Sequence, residues 1–168
     1  PEKGLTALAT SCRQAGPASS DLIRSLAPLP DTESEVNNVK NSLGKTEKSE
    51  IQIFTRKDAN EKNLRNLQLD DYRVLYFATH GLLPGELKCQ AEPGLVLTPP
   101  KKANSRDNDG LLEASEIASL KLNADLVVLS ACNTAGSGGK FGGDALSGLA
   151  EAFFYAGAKS LVVSHWQV

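Results

Sequence analysis

The chain has 168 residues, 40% of them hydrophobic and 23% charged, and a formal net charge of -2. These values are ordinary for one globular domain. The charge is nearly balanced and contains no basic cluster, which argues against nucleic-acid binding. No apolar run approaches the roughly 20 residues of a membrane span, so we expect no membrane partner. Three widely spaced cysteines favour a reducing compartment over a disulfide framework, and we expect a cytoplasmic location.

The two ends of the sequence suggest that it is part of a longer protein. It begins at Pro1, contains no methionine, and stops at Val168 just after an apolar stretch. We therefore expect a single domain over residues 1–168 that is cut short at its C-terminus, with a loop-rich lead-in over residues 1–30.

The first half of the chain predicts two strands and two helices. In chain order these are a short strand at 5–9, a loop over 15–30, a helix over 31–44, a strand over 51–54 and a helix over 58–69. Thr32 and Glu35 fit a capping box at the start of the first helix, and Gly44 fits its end. Asp58 is the predicted N-cap of the second helix.

The second half predicts a sheet whose strands are apolar throughout. Its elements are strands at 73–78, 95–97, 126–132 and 160–164, with helices over 111–120 and 144–156. Asp144 is the predicted N-cap of the last helix, and residues 99–110 are polar enough to predict disorder. Apolar strands that alternate with helices indicate a parallel sheet covered on both faces, with its site at the carboxyl ends of the strands.

The sequence lacks the patterns of a metal site and of a nucleotide site. It has two histidines and no Cys-x-x-Cys pair, so we expect no metal. The glycine-rich stretch after Cys132 has Phe141 directly after Lys140, where a phosphate-binding P-loop needs Ser or Thr. The same Phe141 stands where a dinucleotide fingerprint needs its third glycine, and we expect no cofactor.

Nucleophilic catalysis by cysteine is the chemistry that the pattern favours. His80 and Cys132 each end an apolar strand, in the order and at about the 50-residue spacing that caspases use. Gly81 permits close backbone approach, so its N–H and that of Cys132 are candidates for an oxyanion hole. The rival pair, Cys12 with His165, lacks the papain-type motif. A buried cysteine at a strand end is also compatible with a small apolar packing role, which leaves a structural alternative open.

Three longer stretches carry a family resemblance: "VLYFATHG", "DGLLEASEIASLKLNADLVVLSACNTA" and "GGDALSGLAEAFFYAGAKSLVVSHW". With the upstream segments "LPDTESEVNNVKNSLG" and "FTRKDANEKNLRNL", they resemble the CHAT domain, a caspase-like, separase-related cysteine peptidase family, over about residues 29–166. The resemblance implies a caspase-like α/β fold, a three-layer sandwich with a mostly parallel central sheet between helices. It also implies peptide-bond hydrolysis by His80 and Cys132 through a thioester, with Gly81 in the oxyanion hole. Such domains commonly follow tetratricopeptide repeats, so we expect repeats or another regulatory partner in addition to a protein substrate.

Some positions depart from the family pattern or add little to it. Ser130, two residues before the nucleophile, stands where caspase-like enzymes line the S1 pocket, and its neutral hydroxyl supplies no charge preference. His165 replaces an apolar residue, and the acidic group that separase-like relatives carry just after the Trp is missing before the chain ends at Val168. Cys12 and Cys89 are expected to be passive thiols.

Two alternatives to an active peptidase stay open. One is a caspase-like scaffold without catalytic activity that serves as an interaction module. The other is a latent enzyme whose site forms only when a partner orders the loop at 136–143.

Overall fold

A computed structural model of the chain describes residues 16–44, 50–103, 105–132 and 142–164, with the backbone alone at 132 and 142–147. Five α-helices are described: α1 (Ser20–Arg24), α2 (Thr32–Leu43), α3 (Glu61–Arg65), α4 (Ala114–Ala118) and α5 (Gly142–Ala156). Five strands are described: β1 (Val74–Leu82), β2 (Gly94–Val96), β3 (Leu111–Glu113), β4 (Leu126–Cys132) and β5 (Leu161–Val163). Among the described residues, no helix combines the length and the apolar character needed to cross a membrane.

The strands form one five-stranded sheet in the order β3-β2-β1-β4-β5. The long central strands β1 and β4 run parallel, and β5 runs parallel to β4. The short strand β2 pairs antiparallel with β1, and β3 pairs antiparallel with β2. The α/β class is therefore as predicted, but the sheet is mixed, because a short antiparallel extension is added to its parallel part.

The larger of two buried apolar clusters lies on one face of this sheet. Along β4, Val127 and Leu129 are fully buried, whereas Val128 and Ser130 between them are half-buried. Phe153 of α5 is fully buried, and its ring centroid lies 5.7 Å from that of Phe77 in β1. The alternation of buried and half-buried residues follows from the two-residue period of a strand. One face of the sheet therefore packs on α5, and the other face carries the even-numbered positions of β1 and β4.

Two local predictions, a strand at 51–54 and a capping box at the start of the first long helix, are wrong. The residues at 51–54 form no strand and pair with none of the five described strands. Helix α2 has Asp31 as its N-cap and lacks the predicted capping box, since the Thr32 hydroxyl donates instead to the Leu29 carbonyl at 2.8 Å. Gly44 ends this helix as predicted, although its φ of -69° is right-handed.

The predicted helix at 58–69 is reduced to the five residues of α3. Its N-cap is Asn60, whose side chain accepts a hydrogen bond from the Asn63 backbone N–H at 2.8 Å. Glu61, expected to support a cap at Asp58, is buried instead and accepts a hydrogen bond from the Gly110 N–H at 2.5 Å. A long-range contact therefore replaces the local one that the sequence suggested.

Two predictions in the second half also need correction. The residues at 111–113 form β3, because Leu111 and Leu112 are buried beside β2, and only Ala114–Ala118 are helical. Helix α5 begins at Gly142, so Asp144 lies in its first turn and is not its N-cap. Gly157 ends that helix with a φ of 114°, as the pattern indicated.

The two segments expected to be irregular contain ordered structure. Apart from position 104, the residues at 99–110 are described, with a short 3-10 helix at Arg106–Asn108 and a buried Asp109. The predicted loop at 15–30 contains α1, whose Ile23 is buried. The predicted strand at 5–9 lies outside the described residues.

Candidate active site

His80 and Cys132 are directly opposite each other in the sheet. They are the last of seven paired positions along the parallel β1–β4 ladder, which starts at Val74 and Leu126. Neighbouring strands lie about 4.8 Å apart, so the two backbones are adjacent at the carboxyl edge of the sheet. The sequence placed both residues at strand ends, and the topology brings those ends together.

The imidazole ring of His80 is held by a backbone carbonyl. Its Nε2 atom lies 2.7 Å from the carbonyl oxygen of Ala27. Because a carbonyl oxygen can only accept, Nε2 carries the hydrogen in this contact and Nδ1 keeps a free lone pair. A neutral ring with this tautomer has one nitrogen fixed by the protein and one available as a base.

Residues 18–27, which we call the strap, carry this carbonyl across the domain. The strap begins with a hydrogen bond from the Ala18 N–H to Oδ2 of Asp109, at 2.6 Å. In its middle, Ile23 is 4% exposed and packs in a small apolar cluster. The other buried members of that cluster are Leu82, Val96 and Leu111. Arg24 donates to the Pro99 carbonyl at 3.3 Å and to the adjacent Pro100 carbonyl.

Gly81 is the residue at which β1 changes partners. Up to His80 the strand pairs with β4, and from Gly81 onward it pairs with β2, opposite Leu95. The residue is buried and directly follows the histidine. This position is compatible with the predicted oxyanion role, which stays a prediction.

Ser130 lies on the same sheet face as Tyr76, which contacts Glu35. The Tyr76 hydroxyl of β1 donates to Oε1 of Glu35 in α2 at 2.5 Å. Burial is the largest cause that raises the pKa of Tyr76 above its usual value, the Glu35 carboxylate also raises it, and the nearby Ser130 side chain acts in the opposite direction. Tyr76 therefore ties Glu35 of α2 to the sheet face that also carries Ser130.

Three buried carboxyl groups lie near one another, and one of them, Asp109, is bonded to the strap. Glu61, Asp109 and Glu116 are at most 9% exposed. Burial is the largest cause in each case and raises all three pKa values, that of Glu116 to about 7. Each accepts a hydrogen bond from a backbone N–H, namely those of Gly110, Leu111 and Glu113. Their observed role is to tie loops to the sheet, and no group of His, Cys, Asp or Glu among the described residues could hold a metal ion.

Some predicted residues cannot be placed with the others. Cys89 is bonded in a disulfide, so the expectation of a passive thiol there is wrong. Its backbone has a positive φ of 65°, which is uncommon for a residue other than glycine. Cys12, His165 and the end of the chain at Val168 lie outside the described residues, as does most of the glycine-rich loop after Cys132.

The sequence interpretation missed the Ala27 carbonyl, Tyr76 and Glu35. A backbone carbonyl leaves no mark in a sequence, because any residue supplies one. Tyr76 had a signal, since it is four positions before His80 and the two-residue period of a strand places both on one face. Glu35 had been assigned to the capping box, which concealed its contact with the sheet.

Comparison with known protein families finds a match over most of the chain. The model of the CHAT domain matches residues 6–168. No curated protein matches the chain, and no solved structure matches it. Because the match spans nearly the whole sequence, the chain belongs to the CHAT domain family.

Proposed function

We propose that this domain is a cysteine endopeptidase in which Cys132 is the nucleophile and His80 the general base and acid. The observation that carries the proposal is the pairing of these two positions at the end of the parallel ladder. A caspase-like peptidase relationship of the family and the mixed five-stranded α/β sheet are consistent with it. A scaffold has no physical need for a cysteine and a histidine at this edge of the sheet.

The proposed reaction has two halves. In the first, Nδ1 of His80 takes the thiol proton and the Cys132 thiolate attacks the scissile carbonyl carbon. The resulting oxyanion is stabilised by the backbone N–H groups of Gly81 and Cys132, and each such donor is worth roughly 100- to 1000-fold in rate. The C–N bond then breaks, and the imidazolium gives its proton to the departing amine, which leaves a thioester.

In the second half, water replaces the amine. His80 takes a proton from the attacking water, the C–S bond breaks, and the thiolate regains a proton. The Ala27 carbonyl supports both halves, because its contact with Nε2 stabilises the imidazolium that forms in each. The strap therefore acts as a positioning element and does not touch the substrate in this scheme.

We further propose that partners control the enzyme through the strap. The orientation of His80 depends on a peripheral segment that is fixed by Asp109, by the cluster around Ile23 and by Arg24. A tetratricopeptide-repeat region or another regulator that shifts this segment would turn the histidine ring. Protein substrates in the cytoplasm fit the same proposal.

Covalent labelling tests the proposal. Peptidyl acyloxymethyl ketones with Arg, Lys, Asp or Leu at P1 are incubated with the protein under reducing conditions, since Cys89 is disulfide-bonded. Intact mass then reports adducts on the native protein, Cys132→Ala, His80→Ala and the thiol control Cys12→Ala. We expect an adduct on the native protein and on Cys12→Ala, none on Cys132→Ala, and labelling of His80→Ala slower by roughly 100-fold or more.

Two results would contradict the proposal. An adduct that survives Cys132→Ala would identify another nucleophile. The absence of any adduct on the native protein would favour the scaffold or the latent enzyme over an active peptidase.

A further inference from the structure

A small polar cavity lies between the start of the strap and the loop at 99–110. Its volume is about 230 Å³, and residues 17–21 and 101–103 line it. Two contacts join the strap to the same loop, from the Ala18 N–H to Asp109 at 2.6 Å and from Arg24 to the Pro99 carbonyl at 3.3 Å. Pockets for small molecules usually measure roughly 300–1,000 Å³, so this cavity is better suited to one side chain of a partner.

The lining of the cavity is positively charged. Lys101 and Lys102 are exposed, and neither forms an ion pair with another described residue. The acidic residue of the described lining, Asp21, pairs with Arg24 at 3.5 Å. The local charge is therefore positive, although the whole chain has a net charge of -2.

Further cations lie close by, because another segment of the chain meets the loop at Thr98. The Thr98 N–H donates to the Ala59 carbonyl at 2.8 Å, and its hydroxyl donates to the Arg56 carbonyl at 2.6 Å. Arg56 pairs with Glu33, whereas Lys57 has no ion-pair partner among the described residues. The fold thus assembles a basic surface from segments that are far apart in the sequence.

A buried hydroxyl in the wall of the cavity lacks a partner. Ser20 lines the cavity and is 8% exposed, and its Oγ atom makes no hydrogen bond with any described residue. Buried hydroxyl groups normally have at least one such partner. A carboxylate in the cavity would offer this hydroxyl an acceptor and would place its negative charge beside the two lysines.

The strap connects the cavity to His80. Ser20 is near the start of the strap, and at its end the Ala27 carbonyl accepts from Nε2 of His80 at 2.7 Å. A ligand that contacts both the strap and the loop binds only while the strap is docked, so it stabilises the docked arrangement by mass action. The same ligand therefore favours the orientation of His80 that the docked strap provides.

We propose that this cavity binds an aspartate or glutamate side chain from an acidic segment of a partner protein, and that the bound segment activates the domain by holding the strap in place. The binding site stands on the cavity and its charges alone. The activation rests on the proposed peptidase function, and it gives the control through the strap a surface and a chemistry.

Binding of a fluorescein-labelled hexaglutamate peptide, measured by fluorescence anisotropy, tests the site. We expect the double variant Lys101→Gln/Lys102→Gln to bind the peptide roughly tenfold more weakly, because each exposed ion pair contributes little by itself. The control Lys40→Gln/Lys121→Gln removes the same charge from two exposed lysines elsewhere and should bind as the native protein does. Ser20→Ala should weaken binding by at least about threefold without lowering the unfolding free energy, since its hydroxyl has no partner to lose in the unbound protein.

Hydrogen exchange of the Ala18 and Ile23 amides measures the effect on the strap. These N–H groups donate to Asp109 and to the Ser19 carbonyl, so they exchange when the strap opens. At a peptide concentration about ten times the Kd, their exchange should slow by about tenfold in the native protein. At the same concentration the Lys101→Gln/Lys102→Gln variant should show a much smaller change, and ketone labelling of Cys132 should become faster in the native protein alone.

Several results would overturn this inference. These are no binding of the peptide to the native protein, equal losses of binding in the two double variants, and displacement of the peptide by inorganic phosphate more readily than by glutamate. Unchanged exchange of the strap amides at saturating peptide would overturn control through the strap. Binding and slower exchange without any labelling of Cys132 would support the site and count against the peptidase proposal instead.

Discussion

Replacement of Glu116 by glutamine should change how the stability of the domain depends on pH. The Glu116 side chain is 10% exposed, and its two oxygens contact Arg65 at 2.6 Å and the Glu113 N–H at 2.9 Å. The pKa of Glu116 is raised from 4.5 to about 7, and burial is the largest cause, followed among the raising causes by the nearby Glu61 carboxylate. The Glu113 N–H and Arg65 act in the opposite direction but do not cancel these effects.

The sign of the effect follows from the direction of the pKa change. A carboxyl group whose pKa is higher in the folded state binds its proton more tightly there, so it stabilises the fold fully below about pH 4.5. That contribution is lost as the pH rises through about 7. The difference between the two pKa values corresponds to at most about 3.4 kcal/mol. We expect about 2 kcal/mol between about pH 5 and about pH 8, because this range begins above the ordinary pKa of 4.5 and so covers only part of the change.

Urea unfolding measures this contribution directly. Unfolding free energies are determined between about pH 5 and about pH 8 for the native protein, Glu116→Gln and the exposed control Glu151→Gln. From the low to the high end of this range, the native protein should lose about 2 kcal/mol relative to Glu116→Gln. The control should have the same unfolding free energy as the native protein at every pH. Glu61 and Asp109, whose pKa values are also raised, lower that free energy further at high pH in both proteins.

Two outcomes would refute the reasoning. A constant difference between the native protein and Glu116→Gln would mean that the Glu116 pKa is the same in the folded and unfolded states. A difference that grows in the opposite direction, with the glutamine variant weakening at high pH, would mean that the ion pair with Arg65 outweighs burial.

Two further variants test the helix end and the strap. Gly157→Ala should lower the unfolding free energy by more than about 2 kcal/mol, since its φ is 114° and the new Cβ would lie 2.2 Å from the Leu122 carbonyl oxygen. Gly16→Ala, at a position with open space, should cost less than about 0.5 kcal/mol. Ile23→Ala should slow ketone labelling of Cys132 by at least about tenfold, because Ile23 is buried. Leu22→Ala, at the exposed neighbouring position, should leave the labelling rate unchanged. Equal labelling rates in the two variants would exclude positioning of His80 by the strap.

The strands that carry their own signal could be predicted from the sequence. Strand β4 is found at its predicted bounds, because its apolar run matches a strand buried on one face and half-buried on the other. Strand β1 was expected to end at residue 78 but continues to Leu82, since its last two residues pair with β2. The stretch at 111–113 was assigned to a helix for a related reason. It becomes a strand only through its pairing with β2, which its own sequence does not show.

The meeting of His80 and Cys132 could also be predicted, because parallel strands that end in reactive residues present them at one edge. Their chemical roles stay predictions. The surroundings of the pair could not be predicted in the same way, since they depend on contacts between residues far apart in sequence. Tyr76 and Glu35 are 41 positions apart, and the Ala27 carbonyl is 53 positions from His80.

The strap explains why a segment that resembles a loop in sequence is bound so tightly. Its contacts with Asp109, with the apolar cluster around Ile23 and with His80 join three separate parts of the domain. A flexible lead-in would leave the His80 ring free to rotate, and each half of the proposed reaction would then have to restrict that rotation at an entropic cost. Fixing the carbonyl in advance removes that cost and also makes the orientation of His80 depend on a peripheral element. A partner that disturbs the contact between Ala18 and Asp109 could therefore control the base without reaching the substrate.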